Sequence, residues 1–424
     1  MMTKFLALNG GSSSLKYLLY EVSENEKKVV ASGNIQKVGC KDAEFQLKYD
    51  GKKIEEIKPI YTHAEAVEIL FKELVLNGVV ANFDDIKGVG HRILTGGTFY
   101  DHSVIIDDSV IENLTSLEEA GFGPLHLPGE LSIIEAIKNK FPNISQTGSF
   151  DTGFHQTIPE ENYLYAIPYK YYSEYGIRKY GFHGLSYTYI TKLMQEKLNK
   201  KDVNLIVCHL GSGASICAIH NGKSLDTSMG FTPLDGLTMG TRSGSIDPEI
   251  IRFLVENKGM SLTEIFNCLN FDSGFIGLSG SNDIRGVIKS INEGNKLAKI
   301  VFDKFSGQVA NYIVTYHNML KQFIDRDKEI DGIIFTAGIG ENSAIVRKDI
   351  LSKIYSLNIT LNDKENEQIA GFLSRHSGLI SSEDSQIPVY VEPTNEEIVI
   401  LDDMLDLLGY SKKKTDGKVK RLEK

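Results

Sequence analysis

Phe5-Leu6-Ala7-Leu8-Asn9-Gly10-Gly11-Ser12-Ser13-Ser14-Leu15-Lys16 is a short apolar run that breaks into small hydrogen-bonding residues and then resumes. Residues 4–8 read as a strand, Asn9 to Ser14 as a turn, and residues 15–22 and 28–38 as two further strands. A helix is predicted at His63–Leu76, with Ala66, Ile69, Leu70 and Leu74 on one face. The same figure recurs at mid-chain. Residues 204–209 form an apolar run, Leu210-Gly211-Ser212-Gly213-Ala214 a small-residue turn, and residues 215–220 a second run that ends in the hairpin signal Asn221-Gly222. Two copies of strand, Gly/Ser turn and strand predict a duplicated domain, since their separation is too large for a solenoid.

Farther out, residues 296–323 carry Leu297, Ile300, Val301, Phe305, Val309, Tyr312, Ile313, Tyr316, Leu320 and Phe323 at three- and four-residue steps, the stripe of a long packed helix. A strand at Gly332–Thr336 leads to a Gly-rich turn at 337–341 and a helix from about Asn342. After a strand at 387–392, Pro393-Thr394-Asn395 stops the chain and can cap a helix starting at Glu396. The lysine-rich tail from Ser411 reads as a solvated end. Hairpins mixed with strand–helix alternation give an α/β class with mixed sheets.

The 424 residues call for two or three domains, and 41% hydrophobic with 24% charged residues is a globular composition. A net charge of −10 repels polyanions and argues against nucleic acid as a partner. Cys40, Cys208, Cys217 and Cys268 form neither a Cys-x-x-Cys pair nor a disulfide framework. No apolar stretch approaches the ~18 residues of a membrane span, and the initial run at 5–8 is too short for a signal-peptide core. A cytoplasmic location is the expectation, with no membrane partner.

Several segments suit phosphate chemistry, each with a bland alternative. In the first turn, glycines admit backbone amides to a phosphate, serines add donors and Lys16 adds charge; an ordinary hairpin would need less. His209-Leu210-Gly211-Ser212-Gly213 is equally a tight turn or a second phosphate loop. Ala337-Gly338-Ile339-Gly340-Glu341-Asn342 sits between strand and helix, where nucleotides meet helix N-termini, or is a plain turn. Arg92 and Arg242 are glycine-flanked: surface cations in the bland reading, forks for carboxylate or phosphate oxygens in the other. Asp151 follows a strand at 144–150, and Glu396 opens a helix; both suit magnesium, and both are also explained by helix ends. His183 in Tyr180-Gly181-Phe182-His183-Gly184 is a packed histidine or a site wall. Their joint occurrence points to a nucleotide-dependent phosphotransferase.

The strings NGGSSSLKY, GHRIL-x-GG, FDTGFHQTIP, YGFHG, CHLGSGAS, DTSMGFTPLDGL-x-MGTRSG, FTAGIGENS and PTNEE resemble the acetate kinases in order and spacing, from Asn9 to about Gly409. The resemblance implies two duplicated ribonuclease H-like domains of the actin and sugar-kinase type, with mixed five-stranded sheets and an interdomain active-site cleft. The expected boundaries are residues 1–156 plus 395–424 for the first domain and 157–394 for the nucleotide-binding second. It implies phosphoryl transfer between ATP and acetate, giving ADP and acetyl phosphate on the route to acetyl-CoA, with Mg2+ (or Mn2+) and a homodimer.

By motif, Asn9, Ser12, Ser14 and Lys16 fall at the first phosphate loop, with Asn9 also beside the metal together with Glu396. His209, Gly211, Ser212 and Gly213 fall at the second loop, while Asp283, Ile284, Arg285, Gly338, Ile339, Gly340 and Asn342 fall beside the adenosine. Arg92, Arg242, His183, Asp151 and Asn9 match the catalytic positions. Leu94, Leu125, Phe182 and Pro233, with Arg92, match the acetate site. The chain departs from the pattern at Thr95 (usually histidine), Ser212 (asparagine), Leu185 and Tyr187 (threonine and histidine of GFHGTSH), Gly123–Glu130 and Ser245 (aspartate). Leu94, where valine is frequent, shrinks the acyl pocket. The rival readings are a propionate or butyrate kinase, and a non-catalytic nucleotide switch on the same fold.

Overall fold

The computed structural model describes residues 2–11, 13–24, 26–369 and 376–411. Ser12 and the lysine-rich tail beyond Ser411 therefore lie outside the described residues. The chain divides into two compact units. The first takes the chain up to Thr95, His102–Phe150 and the chain from Glu397; the second takes Gly96–Asp101 and Asp151–Glu396.

The first unit is built on a sheet ordered β5-β4-β3-β2-β1-β6-β8-β7. Its strands are β1 (Thr3–Gly11), β2 (Ser14–Val22), β3 (Lys27–Gln36), β4 (Cys40–Tyr49), β5 (Lys52–Ile60), β6 (Ile86–Ile93), β7 (Val104–Ile105) and β8 (Ser145–Phe150). Phe5, Leu6, Ala7 and Leu8 are all buried, as a central strand covered on both faces requires. β1 runs antiparallel to β2 and parallel to β6, and β6 runs parallel to β8.

The sheet has eight strands where the resemblance implied five, because residues 40–60 add the two strands of a hairpin and the two-residue β7 adds an edge. Ala43, Phe45 and Leu47 alternate inward on β4, and Asp50-Gly51, at φ 46° and 70°, makes the tight turn to β5. The first small-residue turn is also shorter than expected. Asn9 to Gly11 stay in β1, and Gly11 pairs with Ser14.

The second sheet is ordered β11-β10-β9-β12-β14-β13: β9 (Leu205–Leu210), β10 (Ala214–His220), β11 (Lys223–Thr227), β12 (Gly332–Thr336), β13 (Gly378–Leu379) and β14 (Val389–Val391). It exceeds five strands through the two-residue edge strand β13. The figure β9–β10 antiparallel with β12 parallel to β9 repeats the β1–β2–β6 arrangement of the first unit. The long helix is Lys296–Leu320, started by Asn295, whose side chain accepts from the amides of Leu297 and Ala298. Val301, Phe305, Val309, Ile313, Tyr316 and Leu320 form its buried face, whereas Leu297, Ile300 and Phe323 are exposed.

Residues 337–341, expected as a turn, wind into the short helix Ala337–Asn342, and the next helix starts at Ala344 rather than Asn342 (Ala344–Ser352). The cause is local. Glu341 Oε1 accepts the Ala337 amide at 2.8 Å and holds Ala337 in the left-handed region, φ 65°.

The helix Glu396–Leu407, in the first unit from Glu397 onward, lies against β6. A Cβ on Gly88 would stand 2.7 Å from Leu408, and one on Gly90 would stand 2.6 Å from Ile400. These two glycines let helix and strand approach.

Candidate active site

In the first unit the strand register gathers three of the candidate residues. Asn9 on β1 faces Lys16 on β2 and Arg92 on β6. Arg92 Nη1 donates to Asn9 Oδ1 at 3.4 Å, and Lys16 is ion-paired with the buried carboxylate of Glu397. Gly10 admits Ile133, which a Cβ would approach to 2.9 Å, so Ile133 packs under the turn. Leu94 is buried, and its amide donates to both oxygens of Glu130 at 3.2 and 3.1 Å. Leu125 is exposed on the loop before the helix Leu127–Lys140.

The second unit assembles a denser group. His183 stands at φ 61° and begins the helix Gly184–Lys197. Gly184 is required there: its amide donates to the Asp151 carbonyl at 2.9 Å, and a Cβ would fall 2.1 Å from that oxygen. This contact ties His183 to Asp151, itself fully buried. His155 supports the same turn from below. Its Nε2–H donates to the Phe182 carbonyl at 2.9 Å, leaving Nδ1 to accept from Ser224 at 2.8 Å. Burial pushes the His155 pKa down to about 4, so the ring is neutral near pH 7.

His209, at the end of β9, stacks on His183 with centroids 4.1 Å apart and planes 18° apart. The turn Gly211–Gly213 closes through Gly211 N–H to Gly213 O at 3.0 Å. Arg242 arrives on the loop 239–242, which is pinned by the Gly240 amide on Ser212 O at 3.0 Å. Its Nη1 donates to Pro233 O at 3.2 Å. The position a Cβ on Gly213 would take lies 3.4 Å from His183 Nε2 and 3.6 Å from Arg242 Nη1. Two nitrogens from segments some sixty residues apart thus face one small spot over a glycine turn, the arrangement expected around a phosphoryl group.

The residues assigned to the adenosine frame a more open region. Gly338 faces open space, and Asn342 Nδ2 donates to Gly338 O at 2.8 Å. Gly211 lies against Ala337, 3.7 Å from a would-be Cβ to its methyl, so the second turn abuts the Ala337–Asn342 helix. Gly240 lies against the Asn282 carbonyl. Next to it Asp283 caps the helix Ile284–Asn292 by accepting from the Arg285 amide at 2.8 Å, and the Arg285 guanidinium folds back on Asp283 in solvent.

The donor set that the resemblance assigns to a metal, the amide oxygen of Asn9 and the carboxylate of Glu396, is all oxygen, the chemistry that suits a hard divalent cation. Among the described residues no group of three His, Cys, Asp or Glu side chains converges.

Several participants escaped the sequence reading. Glu341 Oε1 accepts from both the Ala337 and Thr394 amides, at 2.8 and 3.1 Å, joining the Ala337–Asn342 helix to the segment before Glu396. Arg347, fully buried, gives Nη1 to the carbonyls of Gly340 and Glu341 at 2.8 and 3.0 Å, and Nη2 to those of Asn366 and Ile369 at 2.8 Å each. Its Nε donates to Asn366 Oδ1 at 2.7 Å. Burial lowers its pKa to about 10, still cationic at neutral pH. Ser215, Tyr187 and Ser186 back the two stacked histidines. The strings FTAGIGENS, PTNEE and CHLGSGAS contain Glu341, Thr394 and Ser215, and Tyr187 is a departure from GFHGTSH, but none of these discloses the contacts made.

A duplicated mixed sheet, small-residue turns at equivalent strand ends and a cationic spot over one of them define a phosphotransferase of α/β class. The acetokinase family model matches residues 4–402, and the chain belongs to that family. An acetate kinase of Phytoplasma australiense is 43% identical over 411 residues, 97% of this chain and 100% of its own length. Among solved structures, Porphyromonas gingivalis acetate kinase matches with a TM-score of 0.85 at 36% identity, over 96% of this chain and 100% of its own. A propionate kinase from Francisella tularensis matches with a TM-score of 0.87 at 37% identity, over the same shares.

Proposed function

We propose that this protein is an acetate kinase, catalysing reversible transfer of the γ-phosphoryl group of ATP to acetate to give acetyl phosphate and ADP. The observation that carries the chemistry is the convergence of His183 Nε2 and Arg242 Nη1 over Gly213. A carboxylate is already ionised at pH 7 and needs no strong base to attack. The work left to the protein is positioning and stabilisation of charge on the equatorial oxygens. In this reading Arg242 and His183 donate to those oxygens, the glycine turns at Asn9–Lys16 and His209–Gly213 receive the polyphosphate, and Arg92 holds the acceptor carboxylate. Asp151, locked to His183 through Gly184, completes the catalytic set. Leu94, Leu125, Phe182 and Pro233 cover the acetate methyl, and Gly338, Ile339 and Asn342 with Asp283 and Arg285 receive the adenosine. Asn9 and Glu396 would hold a divalent ion, magnesium by preference, which neutralises phosphate charge.

Arg242→Ala tests this directly. Turnover should fall on the order of 10³-fold while ATP binding, read by calorimetry, persists; near-normal turnover would remove Arg242 from the chemistry. A coupled assay with acetate, propionate and butyrate decides the acceptor. The similarity to a propionate kinase supports a second reading with a longer acid, whereas buried Leu94 favours acetate, by only ~1–3 kcal/mol for one methylene. The same reading carries a homodimer and a cytoplasmic location, checked by light scattering and fractionation.

A further inference from the structure

Tyr187 stands where the family pattern has histidine, and the sequence gives no role for it. Its ring is fully buried, and its Oη meets Ser215 Oγ at 2.5 Å. Ser215, also fully buried, meets His183 Nδ1 at 2.8 Å. The other nitrogen of that imidazole, Nε2, is the one facing the spot over Gly213. A chain of two hydroxyls therefore ends on the rear of the ring whose front faces the site.

We infer that Tyr187 is a positioning residue: through Ser215 it fixes His183 as the neutral tautomer that carries its proton on Nε2. The inference rests on the reading of His183 as a donor to the transferring phosphoryl group.

The direction of the chain follows from donor strengths and from counting protons. A phenol is a stronger donor and a weaker acceptor than an alkyl hydroxyl, so Tyr187 Oη–H donates to Ser215 Oγ. Burial raises the Tyr187 pKa well above its ordinary value, so the phenol keeps that proton. Ser215 has one proton, and it goes to Nδ1. A neutral ring that accepts at Nδ1 must be protonated at Nε2.

The neighbouring ring is held in the same manner. Thr394 Oγ1 donates to Ser186 Oγ at 2.8 Å, and Ser186 meets His209 Nδ1 at 2.8 Å. With the two rings only 4.1 Å apart, two imidazolium charges would repel strongly. A neutral donor has to be aimed by its hydrogen bonds, whereas an imidazolium would donate from both nitrogens. The competing arrangement reverses every bond: His183 Nδ1–H to Ser215, Ser215 to Tyr187, and Tyr187 onward to Thr227, whose own proton goes to the Ile216 carbonyl at 3.1 Å. That would turn a bare Nε2 lone pair toward phosphate oxygens.

The full-length protein labelled with 15N-histidine distinguishes the two arrangements by the imidazole shifts of His183, assigned by its loss in His183→Ala. Wild type should show a single neutral form protonated at Nε2. Tyr187→Phe should show both tautomers, with kcat lowered roughly tenfold and KM for ATP and acetate unchanged. Ser215→Ala should behave alike. A wild-type spectrum with the proton on Nδ1 overturns the inference, as does a Tyr187→Phe enzyme with one tautomer and full kcat. If Tyr187→Phe does not fold, the wild-type spectrum and Ser215→Ala decide. Full turnover by His183→Ala would instead sink the reading of the site, leaving the tautomer measurement standing.

Discussion

A single hydrogen atom on Gly184 separates His183 from Asp151. A methyl group would fall 2.1 Å from the Asp151 carbonyl oxygen, far inside any allowed contact. The contact is with backbone, so no side-chain rotation relieves it. Gly184→Ala should lower stability by about 2 kcal/mol or more, read as a shift in the denaturant midpoint. Turnover should fall further than the folded fraction, because both His183 and Asp151 are displaced. An alanine variant of unchanged midpoint and turnover would show that the turn relaxes freely. The strings around these residues were readable as a glycine-lined wall. What His183 touches was not, since Ser215 and Tyr187 reach it only through tertiary packing.

Among the elements, the helix Ala337–Asn342 depends least on its own sequence. Six residues with two glycines are a poor isolated helix. It is held at its start by Glu341 on the Ala337 amide and at its end by Arg347 on the carbonyls of Gly340 and Glu341. A cation at a helix C-terminus also suits the backbone dipole. Replacing Arg347 with alanine strands four carbonyls and the Asn366 side chain, a loss of roughly 3–5 kcal/mol. Arg347→Lys, which cannot reproduce the planar fork, should recover only part of it. ATP affinity should weaken in the lysine variant before stability becomes limiting, as calorimetry on folded protein would register; unchanged affinity would detach this helix from nucleotide binding.

The contrast with β1, β9 and β12 explains what could be read in advance. Their apolar runs state their own burial, and the turns that follow are marked by glycine and serine. The hairpin β4–β5 is equally marked, by Asp50-Gly51 and alternation at Ala43, Phe45 and Leu47. Arg347 was illegible in principle, because a charged residue on a helix signals solvent unless its partners, among them Asn366 and Ile369 nineteen and more positions away, are known.

For the molecule as a whole, each unit contains a histidine buried in neutral form: His91 in the first, His155 in the second. Burial, the largest cause, brings both to about 4 from 6.5, against which the hydrogen bonds to Gln146 and to Phe182 O work. Between these values the unfolded chain binds more protons than the folded one, so stability rises with pH across this window. The contribution is complete above pH 6.5 and is lost as pH falls through 4. Each site should cost roughly 2–3 kcal/mol at pH 4.5 relative to pH 7. Urea melts at the two pH values should show the drop, and His155→Gln should flatten its share. Equal stability at both would mean that these rings are not buried neutral in solution.

The helix Glu396–Leu407 covers β6, yet it is synthesised about 300 residues after that strand. At about 5–20 residues per second, the ribosome leaves the Gly88–Gly90 face of β6 uncovered for some 15–60 s. For nearly all of that interval neither unit can close, but the second gains β14, the last of its described strands, shortly before the helix that the first still lacks. Order of translation and order of completion are thus inverted: the half begun first is finished last, and nascent chains stalled before Glu396 should be the species that chaperones hold.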